Sequence, residues 1–151
     1  LFELALVYHE AADRLLLLIG GDELWAYDTN TDTWEERKAP GLDADYMVAA
    51  AYHAGIDRLI TYGGAPTGRT AETWSYDYAA DAWQLIETRN SPGPLADHAM
   101  AYDPATDAVY LYGGTSEVLS QGAPPVPSGE MWAFDGAQWT LIDAASLDPM
   151  P

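Results

Sequence analysis

The sequence predicts an all-β protein built from three copies of one four-stranded unit, and three observations predict it. Double glycines recur at Gly20-Gly21, Gly63-Gly64 and Gly113-Gly114, spaced 43 and 50 residues apart, each after an apolar run. The same phrase follows each pair: Glu23-Leu24-Trp25-Ala26-Tyr27-Asp28, Glu72-Thr73-Trp74-Ser75-Tyr76-Asp77 and Glu130-Met131-Trp132-Ala133-Phe134-Asp135, with a second tryptophan beyond it at Trp34, Trp83 and Trp139. Upstream, Tyr8, Tyr52 and Tyr102 stand five residues before Asp13, Asp57 and Asp107. Self-similarity at such a period marks units that bury their faces on one another. The repeats divide the chain into 1–40, 41–93 and 94–151.

Within a unit the first strand ends near the aligned tyrosine, the second runs into the double glycine, the third carries Trp-x-aromatic-Asp, and the fourth begins at the second tryptophan. In the third unit these runs are 98–103, 108–113, 130–135 and 138–143, separated by Asp-Pro-Ala-Thr, a long Gly/Pro/Ser loop and an Asp-Gly turn. Large aromatics at i and i+2, as in Trp74-Ser75-Tyr76, share one face of a pleated strand and would be split across a helix. No stretch holds an unbroken 3.6-residue period, so almost no helix is expected. The first unit has one extra residue between Asp13 and Gly20, read as a β-bulge or register slip. The third shortens the aromatic-to-tryptophan spacing from seven residues to five, as a tight Asp-Gly hairpin requires.

A four-stranded meander repeated at this length is the pattern of a β-propeller. An apolar strand ending in Gly-Gly, an aromatic-Asp pair and a tryptophan after a short turn resemble the Kelch repeat, in three copies over essentially the whole chain. The resemblance implies a Kelch-type propeller of three four-stranded antiparallel blades, half of a six-bladed ring. Three blades leave two open flanks, which require cover. A longer chain or a homodimer joined head to tail would supply it. Leu1 in place of an initiator Met and the trailing Asp148-Pro149-Met150-Pro151 favour a segment of a longer chain.

Composition narrows the function. With 24 acidic and 6 basic residues, the formal charge is −18, which argues against nucleic-acid binding through phosphate contacts. The longest apolar run, Leu15 to Ile19, is too short to span a membrane as a helix, and no signal-peptide pattern is present. The absence of cysteine excludes disulfides and thiolate sites within these residues. Strong acidity with one Lys against five Arg fits an exported protein of a high-GC bacterium, expected at the cell surface or outside it, or the cytoplasm of a halophile.

The second-to-third-strand loops and the inter-blade stretches are expected on one face, as a surface for a protein or peptide partner. Its candidate residues are Arg37, Lys38, Thr67, Arg69, Arg89, Asn90, Ser116, Glu117 and Gln121, beside the long 115–129 loop. The six tryptophans are expected to pack between blades. Asp28, Asn30 and Asp32 resemble half of a calcium loop and imply at most weak calcium binding, because Gly at the sixth position and Glu at the twelfth are missing. His9 and His53 share one register and are expected to face solvent, with a metal site as the lesser alternative. Without a catalytic constellation, a non-catalytic binding module leads, and carbohydrate binding or modification and a self-assembling surface protein are the alternatives. Some Kelch-like propellers are sugar oxidases built on a Cys-Tyr copper site, for which this chain has no Cys.

Overall fold

The computed structural model describes residues 4–20, 23–39, 49–64, 70–116 and 126–143. They form three antiparallel sheets, two of them four-stranded up-and-down meanders and the third five-stranded. Sheet 1 holds β1 (Leu4–His9), β2 (Arg14–Ile19), β3 (Glu23–Asp28) and β4 (Thr33–Arg37). Sheet 2 holds β5 (Ala49–His53), β6 (Arg58–Tyr62), β7 (Thr73–Asp77) and β8 (Ala82–Ile86). Sheet 3 holds β9 (Leu95–Asp103), β10 (Ala108–Ser116), β11 (Val126–Pro127), β12 (Met131–Phe134) and β13 (Trp139–Asp143). The helical content among the described residues is one 3-10 turn, Ala54–Ile56. None of their helices is long and apolar enough to cross a membrane.

The sheets stack through their side-chain faces, with β5 against both β1 and β9. Strand alternation sends Leu16, Leu18, Leu24 and Ala26 of sheet 1 into one core, where they meet Leu59 and Tyr76 of sheet 2. The opposite face of sheet 2 supplies Ala51, Ile60 and Tyr62 to a second core with Val109, Leu111, Phe134 and Trp139 of sheet 3. Each fully buried side chain of this kind stabilises the fold by roughly 1.5–3 kcal/mol.

The tryptophans correct the expectation of uniform inter-sheet burial. The second tryptophan of each unit is the cross-strand neighbour of the aromatic before it: Tyr27 with Trp34, Tyr76 with Trp83, Phe134 with Trp139, at 4.8, 5.0 and 5.1 Å between ring centroids. Sheet 2 packs its pair on sheet 1, and sheet 3 packs its pair on sheet 2. Tyr76 and Phe134 are fully buried and Trp139 is 1% exposed, whereas Trp34 is 50% exposed because no described sheet precedes it. Trp25, Trp74 and Trp132 are only half-buried, and the indole N–H groups of Trp74 and Trp132 donate to Glu72 and Glu130.

Two register expectations change as well. The extra residue of the first unit makes no bulge: β1, β2 and β3 pair without interruption from Leu4↔Ile19 to His9↔Arg14 and from Leu15↔Tyr27 to Ile19↔Glu23. The residue lengthens β2 instead, so the ladder simply gains a pair before Gly20. The irregularity lies in sheet 3, between Met131 and Trp132. There β10 also continues through Gly113-Gly114 to Ser116, which draws β9 back to Leu95. A Cβ on Gly114 would meet the Ala96 carbonyl at 2.8 Å, and one on Gly63 the Leu95 carbonyl at 2.4 Å. The double glycines thus serve close approach of backbones, with both residues of each of these pairs at positive φ.

Candidate functional site

The hairpin turns follow one local rule. A tyrosine near the end of a strand donates its hydroxyl to the carboxylate of an aspartate five residues on, which occupies the left-handed region. Tyr8–Asp13, Tyr52–Asp57, Tyr76–Asp81 and Tyr102–Asp107 span 2.8, 2.9, 2.7 and 2.8 Å, and Tyr27–Asp32 makes the same bond. The five aspartates have φ between 50° and 56°. Aspartate tolerates this conformation better than most residues, and the tyrosine bond fixes it. The β12–β13 turn departs from the rule: Phe134 lacks a hydroxyl, and Gly136 takes the positive φ at 95°.

These clamps extend into polar junctions between sheets. The Ala11 N–H donates to the Tyr52 hydroxyl at 3.4 Å, and His9 Nε2 lies 3.5 Å from Asp57 Oδ1. In the next junction His53 Nδ1 lies 3.5 Å from Asp107 Oδ1, and the His53 ring stands 5.2 Å from that of Tyr102. His9 and His53 are therefore buried, at 1% and 0% exposure, and the expectation that they face solvent fails. The neighbouring sheet covers the end of each first strand, which a single unit's sequence does not reveal. Burial holds both imidazoles below their ordinary titration range, against the opposing pull of Asp57 and Asp107. His98 lies inside β9, 8% exposed, and its burial lowers it to about 4. Burial first, then the Asp57 bond, pushes the Tyr52 phenol up to about 12.

Where β1, β5 and β9 adjoin, a groove of about 360 Å³ opens, lined by Leu6, Tyr8, Glu10, Tyr52, Met100 and Tyr102 with small residues such as Ala50, Ala51 and Ala101 between them. The three aligned tyrosines thus converge on one concavity with Glu10, while their hydroxyls bind Asp13, Asp57 and Asp107. The spacing of tyrosine and aspartate was visible in sequence; their convergence needed the stacking of the sheets.

Of the loop residues expected on one surface, Arg37, Lys38, Arg89, Asn90 and Ser116 are described. Arg37 spans two sheets: its guanidinium donates to the Tyr76 hydroxyl at 3.0 Å and the Tyr78 carbonyl at 2.8 Å, and lies 4.3 Å above the Tyr78 ring. The backbone N–H of Lys38 donates to Asp81, and that of Arg89 to the Gln138 side chain. These stretches dock on the third-to-fourth-strand turn of the next sheet. Asn90 is exposed beside Arg89. Ser116 ends β10, where it pairs with Val126. Thr67, Arg69, Glu117 and Gln121 lie outside the described residues, as does most of the 115–129 loop.

The calcium-like turn is committed to the protein's own donors. Asp28 accepts from the Asn30 N–H and pairs with Arg14 at 2.7 Å, Asn30 donates to Asp13, and Asp32 accepts from Tyr27. Among the described residues no group of three or more His, Asp or Glu is placed to hold a metal ion.

No family model matches the chain. Two curated relatives, both described as "Multiple epidermal growth factor-like domains protein 8", from Homo sapiens and Rattus norvegicus, are each 25% identical to it over 91% of its length. The chain spans 5% of the length of each. The solved structure described as "Structure of YjhT" superposes with a TM-score of 0.76 at 14% identity, covering 95% of this chain and 52% of that one. That likeness shows the fold: the three stacked sheets recur within a chain about twice as long.

Proposed function

We propose that the chain is a Kelch-type propeller module, half of a six-bladed ring, that binds a protein or peptide through its second-to-third-strand connections and performs no catalysis. One observation carries the reading. A scaffold repeated with closely similar ladders bears second-to-third-strand connections of sharply unequal length, 4, 10 and 18 positions from Gly21, Gly64 and Gly114 to the following tryptophan. Variable loops on a rigid frame are where recognition is usually built. The β10–β11 ladder, Thr115↔Pro127 and Ser116↔Val126, stiffens the root of the longest connection. Ring completion has support in the half-bare aromatic pair of sheet 1, Tyr27 and Trp34, whose counterparts in sheets 2 and 3 are covered by a preceding sheet. Ile142 of sheet 3, 53% exposed, marks the other open flank. The same flanks favour a second reading, a self-assembling protein whose head-to-tail contacts run on without closing. The expected setting is outside the cell or at its surface.

Peptides selected from a random displayed library on the intact chain test the loop reading. Replacement of residues 117–125 by a Gly/Ser linker, with Arg69→Ala, should abolish binding while circular dichroism stays unchanged. Retained binding would place recognition elsewhere.

A further inference from the structure

We propose that the groove between β1, β5 and β9 binds a lysine or arginine side chain presented by a basic peptide. Its floor and walls, with Leu6, Val7, Ala50, Ala51, Met100 and Ala101, suit an aliphatic stem. Its rim suits a cationic head. Glu10 lines the groove and is close enough to act electrostatically on Tyr8, Tyr52 and Tyr102 together. The hydroxyls of those three tyrosines each hold an aspartate, Asp13, Asp57 and Asp107.

Two features set this concavity apart from the acidic surface at large. No Lys or Arg lines the groove among the described residues, and the nearby Arg14 and Arg58 pair with Asp28 and Asp77, both at 2.7 Å. Two of the tyrosine-held aspartates are also reachable, the side chains of Asp57 and Asp107 being 55% and 60% exposed. An open groove with aliphatic side chains, Glu10 in its lining and tyrosine-held aspartates bonded to its edge complements an amphipathic cation and repels an anion. The groove lies toward the first-to-second-strand turns, at the other end of β2 from the second-to-third-strand connections, so it stands or falls apart from the loop-face reading.

The test uses a fluorescein-labelled hexa-arginine peptide and its hexa-citrulline counterpart, with binding to the intact chain followed by anisotropy at low salt. The arginine peptide should bind and the citrulline peptide should not. Glu10→Gln should weaken binding about threefold, as expected for one exposed carboxylate. Ala101→Phe, which fills the groove without changing charge, should weaken it at least as much, while Glu36→Gln on the outer strand β4 should match the wild type. Near-ultraviolet circular dichroism identifies any variant that fails to fold, and Glu10→Gln at an exposed turn keeps the test open if Ala101→Phe does. Equal effects of Glu10→Gln and Glu36→Gln, an unaffected Ala101→Phe, equal binding of the two peptides, or no binding of hexa-arginine would each overturn the proposal.

Discussion

Tyr52 joins three tasks in one side chain: it fixes Asp57 at positive φ, accepts the Ala11 N–H from sheet 1, and walls the groove. Tyr52→Phe should therefore cost about 1 kcal/mol in urea unfolding, the net worth of the hydrogen bonds it removes. Tyr8→Phe should cost clearly less, because Tyr8 is 51% exposed and no described sheet covers it. The buried histidines set the acid response. Their folded values lie below the unfolded value of 6.5, so the unfolded chain takes up protons first as pH falls. Their contribution is intact above pH 6.5 and is lost progressively toward the folded values. For His98, lowered to about 4, the loss amounts to roughly 3 kcal/mol at about 1.4 kcal/mol per unit. Urea midpoints measured from pH 7.5 to 4.5 should decline, and His98→Gln should flatten part of the decline. A second loss should follow at lower pH, where Asp13, Asp28, Asp81, Asp103 and Asp135, all held below the ordinary aspartate value, become protonated.

Equivalent elements differ in worth according to what the next sheet covers. Trp139→Ala should cost about 3–5 kcal/mol, since the indole is buried and its N–H donates to Thr73 at 2.8 Å. The same change at Trp34 should cost under about 1 kcal/mol when the chain is studied alone, a contrast that thermal unfolding of both variants would read. At this scale the sequence was legible wherever local chemistry decides. The strands, the double glycines and the tight Asp135-Gly136 turn follow from alternation, conformational freedom and turn type. It was not legible wherever a neighbouring sheet decides. Six repeat-locked tryptophans look alike in sequence, yet their burial depends on which face meets another sheet. His9 and His53 are hidden by the sheet that follows them, and Arg37 is drawn from the expected loop surface by Tyr76, Tyr78 and Asp81. The Tyr-x4-Asp spacing was noticed in the first hairpins but also governs Tyr27–Asp32 and Tyr76–Asp81, which the shared third-strand phrase concealed.

For the whole molecule, a formal charge of −18 makes self-repulsion a standing cost that added salt screens. A protein adapted to molar salt should gain steeply in thermal midpoint between low salt and molar potassium chloride, whereas an exported protein of ordinary surroundings should gain a few degrees and then level off; the proposed extracellular setting predicts the second. We propose that the open flanks of sheets 1 and 3 are covered by further sheets of the same kind, completing a six-bladed ring. Static light scattering on the purified 151-residue chain across a wide concentration range tests this most directly. A mass twice the 16.4 kDa chain is expected, with sheet 3 of one copy on sheet 1 of the other, reverting to the chain mass in Trp34→Glu. A soluble species holding the single-chain mass at the highest concentration would overturn the ring, because flanks exposing Leu4, Trp34 and Ile142 would then be stable in water without cover.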